Sequence, residues 1–242
     1  MCTANPVSSF PPPDDGIQID DPLAALYFGS EDARSSVAIL PDIYGCNAFY
    51  RSLATHLAKK GFGVFLLNPF HEFGELSEPT REAAFERRNK IKDRAYVDDL
   101  EQFLVQRRVG GVVGFCLGGL YVFDLVRREL PANLVAVYPF PQGLANQDPL
   151  AVPFDYLPDV TTPHTVVIGD QDHLLGPENI VRLRQISRRN SAMTLHEFKG
   201  SGHGFLADLD EKDPVRRDNA VRAMAILEQA IASGSSASRA TP

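Results

Sequence analysis

Short apolar runs alternate along this chain with longer stretches in which apolar positions recur every three or four residues. Residues 37–40 (VAIL) are apolar and largely β-branched, as a strand buried on both faces requires. A polar, glycine-containing turn follows at 41–47. Next comes a helical stretch with Phe49, Leu53 and Leu57 at four-residue spacing, and Gly61 is its C-terminal stop. Further strands are predicted at 63–68, 109–115, 134–140, 164–170 and 194–199. Helices are predicted at 79–91, 93–107, 117–130 (stopped by Pro131), 177–190 and 215–232. Tyr96, Leu100, Phe103 and Leu104 give the second of these an apolar stripe. Strands that alternate with crossover helices imply an α/β fold, a mostly parallel sheet with helices on both faces. In such sheets chemistry gathers at the carboxyl ends of the strands.

The ends lack this rhythm. Residues 1–16 are proline-rich and read as an irregular arm, and residues 233–242 (SGSSASRATP) as a disordered tail. No linker or repeat divides residues 17–232, so one domain is expected. The 242 residues carry a net charge of −7, which argues against a nucleic-acid surface. No apolar run is long enough to span a membrane, and the N-terminus lacks the basic-then-apolar order of a secretory signal. The three cysteines (Cys2, Cys46, Cys116) are too few and too far apart for a disulfide framework, and fit a reducing cytoplasm.

The most informative stretch is VVGFCLGGLYVF (112–123), where a strand runs into a helix through Gly114, Cys116, Gly118 and Gly119. This is the glycine-x-nucleophile-x-glycine pattern with cysteine in the place where serine is commoner. A nucleophile on so tight a turn leaves no room for side chains two residues to either side. The turn also aims the Leu117 N–H at the reaction centre, and the positive end of the helix favours a thiolate. A cysteine nucleophile needs a base, and the base an orienting carboxylate, in the chain order nucleophile, acid, histidine. Of the downstream histidines, His164 opens a strand, His196 lies within one, and His173 sits in a surface turn. His203, in KGSGHGF just past a strand end, is the best base. Asp170 and Asp172, at the end of the strand before, both qualify as the acid.

Four segments together, PDIYGCN (41–47), GFCLGG (114–119), GDQDHLLGP (169–177) and GSGHGF (200–205), resemble the dienelactone hydrolase (carboxymethylenebutenolidase) family of α/β-hydrolases. The resemblance runs from about residue 25 to 232. It implies a Cys-Asp-His triad of Cys116, Asp172 and His203. It also implies that Asp42 is a carboxylate governing the resting thiol, one methylene shorter than the glutamate common there. Ile43 would then supply the second oxyanion N–H beside Leu117. One such donor is typically worth about 3–4 kcal/mol. The family's first carboxylate-binding arginine maps to Arg81, its aromatic pocket residue to Phe85, and its pocket tryptophan to Arg88. Its second arginine maps to Ala207, so the lactone-binding half departs from the pattern. Without the resemblance, Arg81, Arg87 and Arg88 read as a solvated basic helix face, and Asp42 as a cap for the helix that follows.

The expected protein is a single-domain α/β-hydrolase acting on a small ester or lactone, dienelactone-like and carboxylate-bearing, through an acyl-thiol intermediate. A general carboxylesterase or thioesterase on the same fold is one rival. A noncatalytic redox sensor using Cys116 is the other. No HExxH, CxxC or Walker pattern occurs, so no metal or cofactor is expected. The expected partner is the small-molecule substrate, with no nucleic acid and no membrane, and the oligomeric state is left open.

Overall fold

A computed structural model describes residues 7–30, 32–33, 35–76 and 78–232. Cys2 and the tail at 233–242 therefore lie outside the described residues. Eight strands form one sheet: β1 (Ile17–Ile19), β2 (Ala25–Phe28), β3 (Ser35–Leu40), β4 (Phe62–Leu67), β5 (Gly111–Phe115), β6 (Asn133–Val137), β7 (His164–Gly169) and β8 (Met193–Phe198), in the order β1-β2-β4-β3-β5-β6-β7-β8. The last six run parallel. β1 and β2 add an antiparallel edge that the apolar pattern did not announce. Strands of three and four residues are too short to show an alternation.

Among the described residues seven α-helices connect and cover the sheet: α1 (Ala48–Lys59), α2 (Arg81–Arg88), α3 (Asp93–Gln106), α4 (Leu117–Arg127), α5 (Pro153–Tyr156), α6 (Pro177–Arg189) and α7 (Pro214–Ala232). The strands' period of two sorts the core into two layers. Val37, Ile39, Val64, Leu66, Val113, Val135 and Val167 face α1 and α7, packing on Phe49, Leu53, Leu57, Ala220, Ala223 and Leu227. Ala38, Leu40, Leu67, Val112, Leu134, Val166 and Ile168 point the other way, toward α3, α4 and α6. Both faces are buried, which is why the strands read as continuous apolar runs.

The expected helices and parallel strands are present, with ends that shift by a few residues. α2 is shorter than the predicted 79–91, because Thr80 caps it by accepting the Ala83 N–H at 3.2 Å. α4 ends at Arg127, and Glu129 then turns with φ +57° ahead of Pro131. Within the arm, residues 7–16 form no helix or strand, yet Val7 and Phe10 are buried and the Phe10 ring lies 4.9 Å from that of His56.

The order β4-β3-β5 reverses the direction of strand addition at β3. Loops 41–47, 116, 170–176 and 199–204 all leave the carboxyl ends of parallel strands, so one edge of the sheet carries every candidate residue of the sequence pattern outside α2.

Candidate active site

At the junction of β5 and α4, Cys116 has φ +56° and ψ −109°, a backbone region an L-residue enters only under constraint. The glycines supply that constraint. A Cβ on Gly114 would lie 2.1 Å from the Gly118 carbonyl oxygen, and one on Gly118 would lie 2.1 Å from that of Leu40. A Cβ on Gly119 would meet Pro139 at 2.9 Å. The helix start is thus pressed against the end of β3 and into the elbow. The Cys116 N–H donates to the Val137 carbonyl at 3.0 Å, which ties the elbow to β6. Cys116 is buried and stands at the N-terminal end of α4, where the helix field favours the thiolate.

The Asp170/Asp172 alternative is separated by geometry. Asp172 Oδ2 and His203 Nδ1 lie 2.8 Å apart, both side chains fully buried. The other carboxylate oxygen, Oδ1, accepts the N–H groups of Leu174 and Leu175, each at 3.0 Å, so its rotamer is fixed. Asp170 instead accepts the Gly200 N–H at 2.6 Å and braces the two loops against each other. That approach is close: a Cβ on Gly169 would sit 2.0 Å from the Ser201 carbonyl oxygen. His173 is exposed. His164 is buried at the far end of β7, Nδ1 at 2.8 Å from the Thr162 carbonyl, and burial lowers its pKa. His196 lies within β8, its pKa likewise lowered by burial.

Two aromatic residues that the sequence reading did not single out wall the histidine. The ring of Tyr138 is 4.9 Å and that of Phe140 is 5.6 Å from the His203 ring. Tyr138 also packs 5.9 Å from Phe115, the residue before Cys116, so one side chain spans the two halves of the site. They follow β6 at the carboxyl edge beside the nucleophile strand, where an apolar residue reads equally as core.

The loop after β3 brings Asp42 and Ile43 to the same edge. Asp42 is fully buried, and its Oδ1 accepts the Tyr44 N–H at 2.8 Å while its carbonyl accepts that of Gly45 at 3.0 Å. Asp42 therefore closes the loop on itself. The helix cap is Asn47, whose Oδ1 accepts from Phe49 at 3.0 Å and Tyr50 at 3.3 Å. The capping alternative for Asp42 is corrected on that ground. Ile43 and Leu117 belong to the same buried cluster. Cys46, in this loop, donates its thiol to the Leu67 carbonyl at 3.3 Å, and burial pushes its pKa up to about 12. It is the least reactive kind of thiol.

Helix α2 divides its residues between two environments. Arg81 and Phe85 are exposed, with the Arg81 guanidinium 5.4 Å from the Phe85 ring centre. Arg88 is only 2% exposed and pairs with Asp93, whose other oxygen accepts the Tyr121 hydroxyl at 2.9 Å. Burial pushes the Asp93 carboxyl up, and Arg88 and Tyr121 pull it back. Arg87 is buried too. It donates to the Gly74 carbonyl at 3.0 Å and the Ile43 carbonyl at 3.2 Å, and stacks 4.1 Å from the Phe70 ring centre. The solvated-face alternative is therefore corrected for Arg87 and Arg88. Ala84, Arg87, Arg88 and Ile91 stand at i, i+3, i+4 and i+7, an inward stripe hidden because two of its members are arginines. Ala207, in the short 3-10 helix Phe205–Asp210, has no side-chain group that could bind an anion.

Chemically, the edge holds a strained cysteine at a helix N-terminus and a carboxylate-braced imidazole. Among the described residues no cluster of His, Cys, Asp and Glu has the makings of a metal site, and no helix is long and apolar enough to cross a membrane.

Comparison with known proteins agrees in direction. The family model of the dienelactone hydrolases matches residues 23–231. Carboxymethylenebutenolidase 2 of Cupriavidus pinatubonensis is 51% identical over 227 residues, which is 93% of this chain and 97% of that protein. A carboxymethylenebutenolidase of Rhodococcus opacus is 32% identical over 79% of this chain and 78% of its own length. A crystal structure assigned to the dienelactone hydrolases of Klebsiella pneumoniae superposes with a TM-score of 0.70, covering 86% of this chain and 92% of its own. At 18% identity that last likeness concerns the fold, an α/β-hydrolase sheet.

Proposed function

Because this chain belongs to the dienelactone hydrolase family, we propose that it hydrolyses a small, carboxylate-bearing lactone through an acyl-thiol intermediate. His203 takes the Cys116 proton, and the thiolate attacks the lactone carbonyl. The Ile43 and Leu117 N–H groups receive the oxyanion. When the ring C–O bond breaks, an Sγ–acyl bond remains and the leaving enolate takes the proton from His203. That step has to be prompt, because the leaving group stays tethered and can reclose. Water, deprotonated by His203, then attacks the thioester; the thiolate departs and the diacid leaves. Asp172 holds the imidazole in the tautomer the relay needs. Asp42 is the carboxylate that governs the resting thiol.

The observation that carries this reading is the 2.8 Å contact between Asp172 and His203, both sealed from water, at the carboxyl edge that also holds the Cys116 elbow. A redox sensor has no use for a carboxylate-braced imidazole. On the substrate side, Arg81 and Phe85 present themselves on the exposed face of α2 and would meet the carboxylate and the ring. Arg88 acts from beneath, its guanidinium engaged with Asp93. Ala207 favours the second reading, a broader carboxylesterase, because a single exposed arginine discriminates less than two.

The test is a hydrolysis screen over a carboxylate-bearing dienelactone and p-nitrophenyl esters, with Cys116→Ala as comparator. The expected result is turnover of the lactone by wild type and a loss of about 10³-fold or more in the variant, which keeps its fold. Substantial turnover by Cys116→Ala removes the acyl-thiol mechanism. Efficient turnover of neutral esters alone favours the general esterase.

A further inference from the structure

Arg87 is a buried guanidinium with no carboxylate directly paired to it among the described residues. Its hydrogen bonds go to two backbone carbonyls on two different loops, Ile43 and Gly74, and its Nε is buried without a partner. Burying a charge on such terms is costly, and an apolar side chain of the same length would pack at lower cost. Burial pulls its pKa down, and charge interactions with Cys46, Asp42 and Glu75 act the other way. The position of the two carbonyls accounts for the cost. Ile43 carries the N–H proposed for the oxyanion hole, and its own carbonyl is the one Arg87 grips. Beside this loop lies an open cleft of about 670 Å³ lined by Tyr44, Cys46, Arg51, Phe70 and Arg87. The 44–47 part of the loop therefore borders open space, whereas Ile43 itself is buried. Arg87 spans the gap, stacked on Phe70 and rooted in α2, the helix that bears Arg81 and Phe85.

We propose that Arg87 is a positioning residue for the hydrolysis: its two-carbonyl grip holds the Ile43 N–H in line with the oxyanion and fixes that donor relative to the substrate-facing helix. The proposal rests on the function proposed above. Arg87 does not touch substrate; it acts through the Ile43–Tyr44 peptide. Loss of the grip should therefore leave substrate binding in place and weaken stabilisation of the tetrahedral species. A misplacement near 1 Å in such a site costs about 10²-fold in rate.

The experiment uses the full chain as wild type, Arg87→Met and Arg87→Lys. Three quantities are measured: kcat and KM on a carboxylate-bearing dienelactone and on p-nitrophenyl acetate, the inhibition constant of an aryl trifluoromethyl ketone, and Tm. The ketone adds the Cys116 thiolate to its carbonyl and places an oxyanion where the reaction does. For Arg87→Met the expected result is a fall in kcat of about 10- to 100-fold on both substrates, with KM changed by less than about threefold. Ketone affinity should fall in parallel. Lysine can reach one of the two carbonyls and should recover part of both losses. The proposal is overturned if Arg87→Met keeps kcat within about twofold while Tm drops, if the loss falls in KM alone, or if lysine is no better than methionine. Should Arg87→Met not fold, Arg87→Lys decides: unchanged kcat and ketone affinity overturn the proposal, and a loss in both with KM held supports it. Absence of turnover by wild type overturns the proposed function alone, and the ketone titration then still decides the role of Arg87.

Discussion

The nucleophile elbow at 114–119 and helix α2 at 81–88 both carry candidate site residues, and they are specified in different ways. The elbow is fixed by backbone. Three glycines exist there because carbonyl oxygens and a proline occupy the space a Cβ would need. Every constraint is written as a residue type that has no substitute, so its role can be read from the sequence. Helix α2 is fixed by side chains. Arg81, Arg87 and Arg88 share one chemistry and one helix, yet one is exposed, one bridges two loops and one is locked to an aspartate. Residue type says little there, and the i, i+3, i+4, i+7 position says more. A wall built on backbone should fail abruptly when altered, while a wall built on side chains should fail by degrees.

The largest expected effect is on the elbow. Gly118→Ala places a methyl group 2.1 Å from the Leu40 carbonyl oxygen and 2.6 Å from its carbon, backbone atoms with no flexible chain end to move. Its cost should exceed the roughly 1–3 kcal/mol of an ordinary overpacked core. Little folded protein, or a steep fall in Tm, is expected in thermal unfolding. Gly110→Ala is the control, because its Cβ would meet the Ser36 oxygen at 3.6 Å, an ordinary contact, and φ there is not positive. Equal stability of the two variants would mean that the elbow is looser than its backbone contacts imply.

The helix should break less abruptly. Asp93→Ala leaves the Arg88 guanidinium buried without its counter-charge and the Tyr121 hydroxyl without its acceptor. About 3–5 kcal/mol of stability should be lost. The double variant Arg88→Met/Asp93→Leu should recover a large part of it, because replacing both partners removes the stranded charge. Denaturant unfolding of the three proteins measures this. A double variant as unstable as the single one would show that shape, rather than charge, holds α2 to α3.

These contrasts explain what the sequence disclosed. The parallel strands and the helices were legible because both faces of the sheet are buried, and runs such as 37–40 and 109–115 report that directly. The edge strands at 17–19 and 25–28 were not, since three or four residues carry no period. Asp172 was separable from Asp170 only by resemblance, because both open the loop after β7 and both accept hydrogen bonds from the loop after β8, one from a histidine and one from a backbone N–H. Tyr138 and Phe140 were hidden by being apolar at a strand end, where core and pocket wall look alike. Arg87 was hidden because a charged residue on an amphipathic stripe reads as solvated until its partners are seen, and its partners are carbonyls, which leave no trace in side-chain chemistry.

The smallest and most selective effect belongs to Arg81. It is exposed on α2, stacked near Phe85, and bound to no carboxylate among the described residues, so its guanidinium is available for a substrate anion. A guanidinium offers a carboxylate two parallel hydrogen bonds, which set orientation as well as charge. Removing one such contact should cost about 1.5–3 kcal/mol, or about 10- to 150-fold in kcat/KM. An exposed contact should fall toward the lower end, because water screens it. Ala207, in place of a second arginine, leaves no partner at that position to compensate. The comparison is an anionic lactone against its methyl ester, in wild type and Arg81→Ala. Loss confined to the acid places the anion at Arg81 and leaves stability untouched, which is the graded failure expected of a side-chain wall. Equal loss on acid and ester means that Arg81 shapes the helix rather than the anion site. No loss on either means that α2 does not select for charge, and the preference for carboxylate-bearing substrates then gives way to a general esterase.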